Sequence, residues 1–304
     1  MNRQGIALLL GGTALLLLAA AGFRLARVNY LGGVPQAEDV EACLHALHRE
    51  PGNSGLPTRF AGLGTAAIPT VTNYLCFRES GFRRRLREFV NRNGWFHARV
   101  FGENDYQEMA LSGALLLPVE AAPHLVALFA GEPLRYADDS VARRVDRVLG
   151  RLGEAVVPAV QAGLHARDAA VRGHCALAIA NHDDLRDVRV VPDLAACARD
   201  PSPKVRAAVM LALGRVLAKA DVSVPALAKG LADDESAVRF HAVHSLWAFG
   251  SEAKPALPAL ADAIARESLR EDAGMDEQPL GAKSQEAILY ALTNAYQTIR
   301  EHGD

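Results

Sequence analysis

Residues 191–240 read VPDLAACARDPSPKVRAAVMLALGRVLAKADVSVPALAKGLADDESAVRF, and two interleaved pairs within them decide the fold. Val191-Pro192 returns as Val224-Pro225, and Val205-Arg206 returns as Val238-Arg239, each after 33 residues. Working outward, Val157-Pro158 and Leu257-Pro258 extend the first series, with spacings of 34, 33 and 33. Val171-Arg172 extends the second, with spacings of 34 and 33. Each unit reads Pro, an apolar stretch, an acidic turn, Val-Arg, then an Ala/Leu-rich stretch. Proline in the first helical turn loses no hydrogen bond and presets φ, so each Pro is expected to start a helix A, here from about Pro192 to Arg199. Asp168, Asp200-Pro201 and Asp233-Asp234 supply helix-stop and N-cap residues, and helix B follows near Val-Arg.

Helix B carries an apolar stripe. Counting Val205 as zero, positions 0, 4, 7, 8 and 11 are Val205, Val209, Ala212, Leu213 and Val216, which share one face of a helix. The same positions hold Val171, Cys175, Ala178, Ile179 and His182 in one neighbour, and Val238, Ala242, Ser245, Leu246 and Phe249 in the other. One hairpin cannot cover such a stripe, whereas stacked hairpins can. The expected fold is all-α: a solenoid of stacked helical hairpins behind an N-terminal hydrophobic helix.

A period of 33 or 34 also fits tetratricopeptide and ankyrin arrays, but neither T-P-L-H-x-A nor W-x-x-L-G-x-x-Y occurs. Val205-Arg206, Ala212-Leu213-Gly214 and Val224-Pro225 instead resemble the short HEAT-like repeats named after phycobilisome lyases. The regular repeats cover about 155–265. Leu63-Gly64 with Ile68-Pro69, and Ala110 to Leu117 followed by Pro123, continue the pattern less regularly toward the N-terminus. The layout resembles bacterial HEAT proteins with a hydrophobic start, a short linker and imperfect repeats. That resemblance brings no catalytic residues. The expected division is 1–28 as a signal anchor or signal peptide, 29–36 as linker, and 37–304 as the solenoid with a C-terminal cap at about 283–300.

Gly5 to Phe23 contains no charged residue; Arg3 precedes it, and Arg24 and Arg27 follow. Nineteen residues would span about 28 Å as a helix, near the thickness of a bilayer core. A single-pass membrane protein with the solenoid outside the cytoplasm is expected, in contact with the membrane through residues 5–23. The small residues Ala19 to Ala21 leave a cleaved, periplasmic or secreted form as the alternative.

Composition limits the chemistry. The net charge of -2 gives no global pull toward nucleic acid. Charge is nevertheless uneven: seven Arg face four acids between Arg78 and Asp105, and nine acids face four bases between Asp262 and Asp304. Cys43, Cys76, Cys175 and Cys197 form no C-x-x-C pair and read as small apolar residues. His45 with His48, near Cys43, and His241 with His244 have metal-compatible spacing, but no Asp or Glu completes either pair at ligand spacing. No cofactor, metal site or catalytic residue is expected, and the chain is read as a non-enzyme.

The sharpest candidate site lies on the outward side of helix B. Phe240, His244 and Trp247 fall opposite the core stripe, with Leu211 and Leu177 on the same side in neighbouring repeats. Outward B-helix positions line the concave side of a solenoid, so the expected function is a scaffold holding an unknown protein partner there. One alternative is a phycobilin-type chromophore lyase, which rests on the repeat resemblance alone. Another is nucleic-acid or anionic-membrane binding through the basic region Arg78–Arg99, where Arg83, Arg84, Arg85 and Arg87 stand beside Phe82, Phe89, Trp95 and Phe96. Nucleic acid is disfavoured because Glu79 and Glu88 offset the Arg charge.

Overall fold

The computed structural model describes residues 37–50, 52–93, 101–134, 140–269 and 285–301. They form helices and turns, with no strand among the described residues. The stretch 5–23 and the linker 29–36 lie outside them. The expected single-pass membrane placement is contradicted: among the described residues no helix is long and apolar enough to cross a membrane. The 17-residue helix Gln285–Glu301 would reach only about 26 Å and carries Glu286, Arg300 and Glu301.

The chain divides into two compact units, one ending at Leu117 and one starting at Pro118. The first holds α1 (Ala37–Arg49), α2 (Gly55–Ala61), α3 (Ile68–Leu75), α4 (Gly81–Asn93) and α5 (Glu103–Ala114). Helix α5 packs on α1 and α3, burying Leu44, Phe60, Val71 and Met109 completely or nearly so. Gly113 allows this approach, because a side chain there would overlap Leu44.

The second unit alternates two rows. Row A contains α6 (Ala122–Ala127), α8 (Val157–Gly163), α10 (Val191–Cys197), α12 (Ala220–Gly230) and α14 (Leu257–Ser268). Row B contains α7 (Val141–Leu152), α9 (Ala169–Asn181), α11 (Pro203–Val216), α13 (Ser236–Phe249) and α15 (Gln285–Glu301). Successive B helices pack side by side. Most of the predicted stripe is the core: Val205, Val209, Ala212 and Leu213 are fully buried, as are Cys175, Ile179, Val238 and Leu246, whereas Val216 and His182, at its last position, are only half-buried. Helix α15 takes the next B position and buries Ile288, Leu292, Ala295 and Ile299.

The hydrophobic-Pro pairs open α8, α10 and α14 as expected, each after a short 3-10 turn. Pro225 departs from this pattern and sits inside α12. The link from α11 to α12 is only Leu217 to Lys219, and both ends adopt left-handed backbone, with φ of 48° and 47°. The preceding turn thus becomes helical and merges with α12, beginning at Ala220. Ser223 donates to the Ala218 carbonyl at 2.8 Å and secures this early turn.

Candidate protein-binding face

Helix α13 is oriented by its buried stripe, which turns Phe240, His244 and Trp247 to the opposite side. The three rings form a row. Phe240 and His244 centroids are 4.1 Å apart, and His244 and Trp247 are 6.4 Å apart. Phe240 and His244 are half-buried, while Trp247 is 41% exposed. His244 Nδ1 lies 2.8 Å from the Phe240 carbonyl. A carbonyl can only accept, so Nδ1–H donates and, in the neutral ring, Nε2 remains an acceptor.

The neighbouring repeats differ from the expected open lining. Leu211 is half-buried, but Leu177 is 3% exposed and belongs to the interior. The small residues beside them are also covered. A Cβ on Gly173 would stand 2.5 Å from Leu134, and one on Gly214 would overlap Ser245. Ser245 donates to the Met210 carbonyl at 2.8 Å, binding α13 closely to α11. The small side chains there admit a neighbour rather than shaping a groove.

The Val-Arg motif has a function that the sequence did not disclose. Arg172 grips Asp200 of the next repeat through Nε–Oδ2 at 2.6 Å and Nη2–Oδ1 at 2.9 Å. Arg206 repeats this on Asp233 at 2.7 and 2.8 Å. Arg239 meets Glu267 at 2.5 Å. Each Arg also donates Nη1 to carbonyls of its own A–B turn: Ala166 and Arg167, then Asp200 and Pro201, then Asp233 and Asp234. The acids also brace the turn, since the N–H of each N-cap residue donates to them: Ser202 N to Asp200 and Glu235 N to Asp233. Hydrogen bonding to Asp200 raises the Arg172 pKa, and hydrogen bonding to Asp233 raises that of Arg206. Arg144 occupies the same register, four residues after the N-cap Ser140, and is 4% exposed. Arg143 precedes it where the other repeats have Val, so the Val-Arg pair is absent from this repeat.

These repeats have known counterparts. Residues 191–274 match the family model of HEAT repeats. Over this segment the chain carries HEAT repeats. No curated protein matches it by sequence. Among solved structures, it is similar to the complex of CpcE and CpcF of phycocyanin lyase from Nostoc sp. PCC7120. That match has 22% identity, covers 57% of this chain and 99% of that one, and has a TM-score of 0.43. An engineered protein is 16% identical over 86% of this chain and 68% of its own, at a TM-score of 0.42. Kap121p is 14% identical over 90% of this chain, at a TM-score of 0.49; the match spans 31% of Kap121p.

The remaining candidates are engaged otherwise. His45 faces Glu41 at 3.5 Å and His48 faces Glu108 at 4.0 Å, with both rings near Phe101. Cys43 is buried. No group of three or more His, Cys, Asp or Glu able to hold a metal occurs among the described residues. His241 packs edge-on to Phe240. His174, missed by the sequence reading, stacks on Phe129 and reaches the Pro133 carbonyl at 3.2 Å; burial holds its pKa below the usual range. His182 and Asp146 pair at 3.2 Å in the space left by Gly150, and burial pushes the Asp146 carboxyl above its usual range. The basic region is partly self-neutralised: Arg87 chelates Glu79, while Arg78 and Arg84 approach Glu103. Trp95, Phe96 and Arg99 lie outside the described residues.

Proposed function

We propose that the chain is a non-catalytic scaffold that holds a protein partner against the outward side of α13. Trp247 carries the reading: a large aromatic, 41% exposed, stands at the end of a row ordered by two ring contacts. Binding hot spots favour aromatics held in place beforehand, because little side-chain freedom is then lost on association. Trp247 is the anchor, Phe240 the half-buried support, and His244 offers Nε2 to a donor from the partner. Leu211, half-buried on the neighbouring helix α11, would flank the site, whereas the buried Leu177 on α9 takes no part in it.

A photo-crosslinking residue at position 247 of the full chain tests the proposal. A control at Lys229, exposed in row A, faces elsewhere. Capture of one discrete protein from position 247 but not from 229, lost on Phe240→Ala, is expected. Equal capture from both positions, or none from 247, contradicts it.

A further inference from the structure

Helix α4 presents a second surface of different chemistry. Taking Phe82 as 0° and 100° per residue, Phe89 lies at about -20°, Arg85 at about -60° and Arg92 at about -80°. Leu86 and the buried Val90 lie at about 40° and 80°, on the inward side. Phe82 is 75% exposed and Phe89 48%, and Arg85 and Arg92 are also exposed. The order Phe82, Arg85, Phe89, Arg92 thus forms one stripe with apolar and cationic groups in alternation.

The remaining charges on α4 explain why this stripe can receive a ligand. Arg87 and Arg84 are turned to Glu79 and Glu103, which fixes the helix by its other side. Gly102 lets the Arg87 guanidinium lie against the backbone, since a Cβ there would stand 2.6 Å from it. Arg85 and Arg92 make no ion pair among the described residues. Glu88, at about -120°, flanks the stripe, and no ion pair joins it to Arg85 or Arg92 among the described residues.

We infer that the Phe82–Arg85–Phe89–Arg92 stripe docks an amphipathic, acidic protein helix. Like residues in the stripe are seven apart, or about 10.5 Å along the axis, matching the heptad repeat of a partner helix. Its carboxylates would meet Arg85 and Arg92, and its apolar side chains Phe82 and Phe89. Aromatic and Arg residues are the types enriched at protein interfaces. Nucleic acid fits less well. The two unpaired Arg of the stripe would neutralise only about two phosphates, which gives little of the electrostatic affinity that nucleic-acid binding draws on.

The test is fluorescence anisotropy on the full chain with a labelled helical peptide carrying paired Leu and Glu at heptad spacing. A scrambled peptide of the same composition and a single-stranded oligothymidylate serve as comparisons. The patterned peptide is expected to bind more tightly than both. Arg85→Glu with Arg92→Glu should weaken it at least about tenfold, as should Phe82→Ala with Phe89→Ala, with helical circular dichroism unchanged. Arg83→Glu changes the same charge off the stripe, at about 100°, and should matter less than about twofold. Equal binding of the scrambled peptide, preference for the oligonucleotide, equal damage from Arg83→Glu, or no peptide binding overturns the inference.

Discussion

Arg206 of one repeat and Asp233 of the next are joined by two parallel hydrogen bonds, of 2.7 and 2.8 Å, within a largely buried site. The planar guanidinium matches the carboxylate while its remaining nitrogen serves the Asp200 carbonyl. One side chain thereby holds its own turn and the following repeat in register. This makes the Val-Arg pair a stacking device, and its removal has a defined cost.

Arg206→Ala should lower stability by about 2–3 kcal/mol, because Asp233 would remain partly buried without its charged partner. Arg206→Lys keeps the charge but not the planar fork, so it should recover only part of the loss. Urea unfolding monitored by circular dichroism measures both. A Lys variant equal to the parent would show that charge alone suffices.

Asp233 gives the tie a pH signature. Burial raises its carboxyl pKa, but Arg206, the Glu235 amide and Arg239 outweigh that and hold it below the usual range. The unfolded chain therefore takes up the proton first as pH falls. The contribution is complete above about pH 4 and is lost as pH drops from there through the folded value. Asp233→Asn should be less stable at neutral pH and lose stability less steeply below about pH 4. Equal slopes in acid titrations of both proteins would contradict this.

The repeat register was legible because its carriers are local: Val205, Val209, Ala212 and Leu213 share a face by spacing alone, and they are buried. The Arg–acid ties were not. Asp200 and Asp233 have the local signature of caps, but Ser202 and Glu235 are the N-caps, and the Arg partner of each acid stands 27 or 28 residues away. Leu177 was misjudged as outward-facing for a related reason. Helical spacing gives a direction from a helix's own axis, but not whether Leu134 or Ser245 occupies that direction. Phe240, His244 and Trp247 were identifiable as a patch, but their ring order required the structure.

Gly214→Ala tests the close α11–α13 approach. Its new Cβ would overlap the Ser245 side chain and lie 2.8 Å from the Ser245 Cα, so the helices must separate. A loss of about 1–3 kcal/mol is expected. Pairing it with Ser245→Gly should recover part of that loss, because the side-chain overlap disappears. A tolerated single substitution in thermal melts would show a looser contact.

Cys175 reports on the same register from a thiol. It is fully buried in the core slot shared by Val209 and Ala242, and burial pushes its pKa up. Cys76 is exposed. Mass spectrometry of native protein treated with a maleimide should find Cys76 modified first and Cys175 last. Early modification of Cys175 would count against the packing of α9.

The most direct test of the binding face is Trp247→Ala, measured both for unfolding free energy and for recovery of the partner captured from position 247. A packed Trp typically loses about 3–5 kcal/mol on truncation. With 41% exposure, Trp247 should lose less than about 1.5 kcal/mol, while partner affinity should fall at least about thirtyfold, equivalent to about 2 kcal/mol. A large loss of stability, or full stability with undiminished partner recovery, would contradict the account.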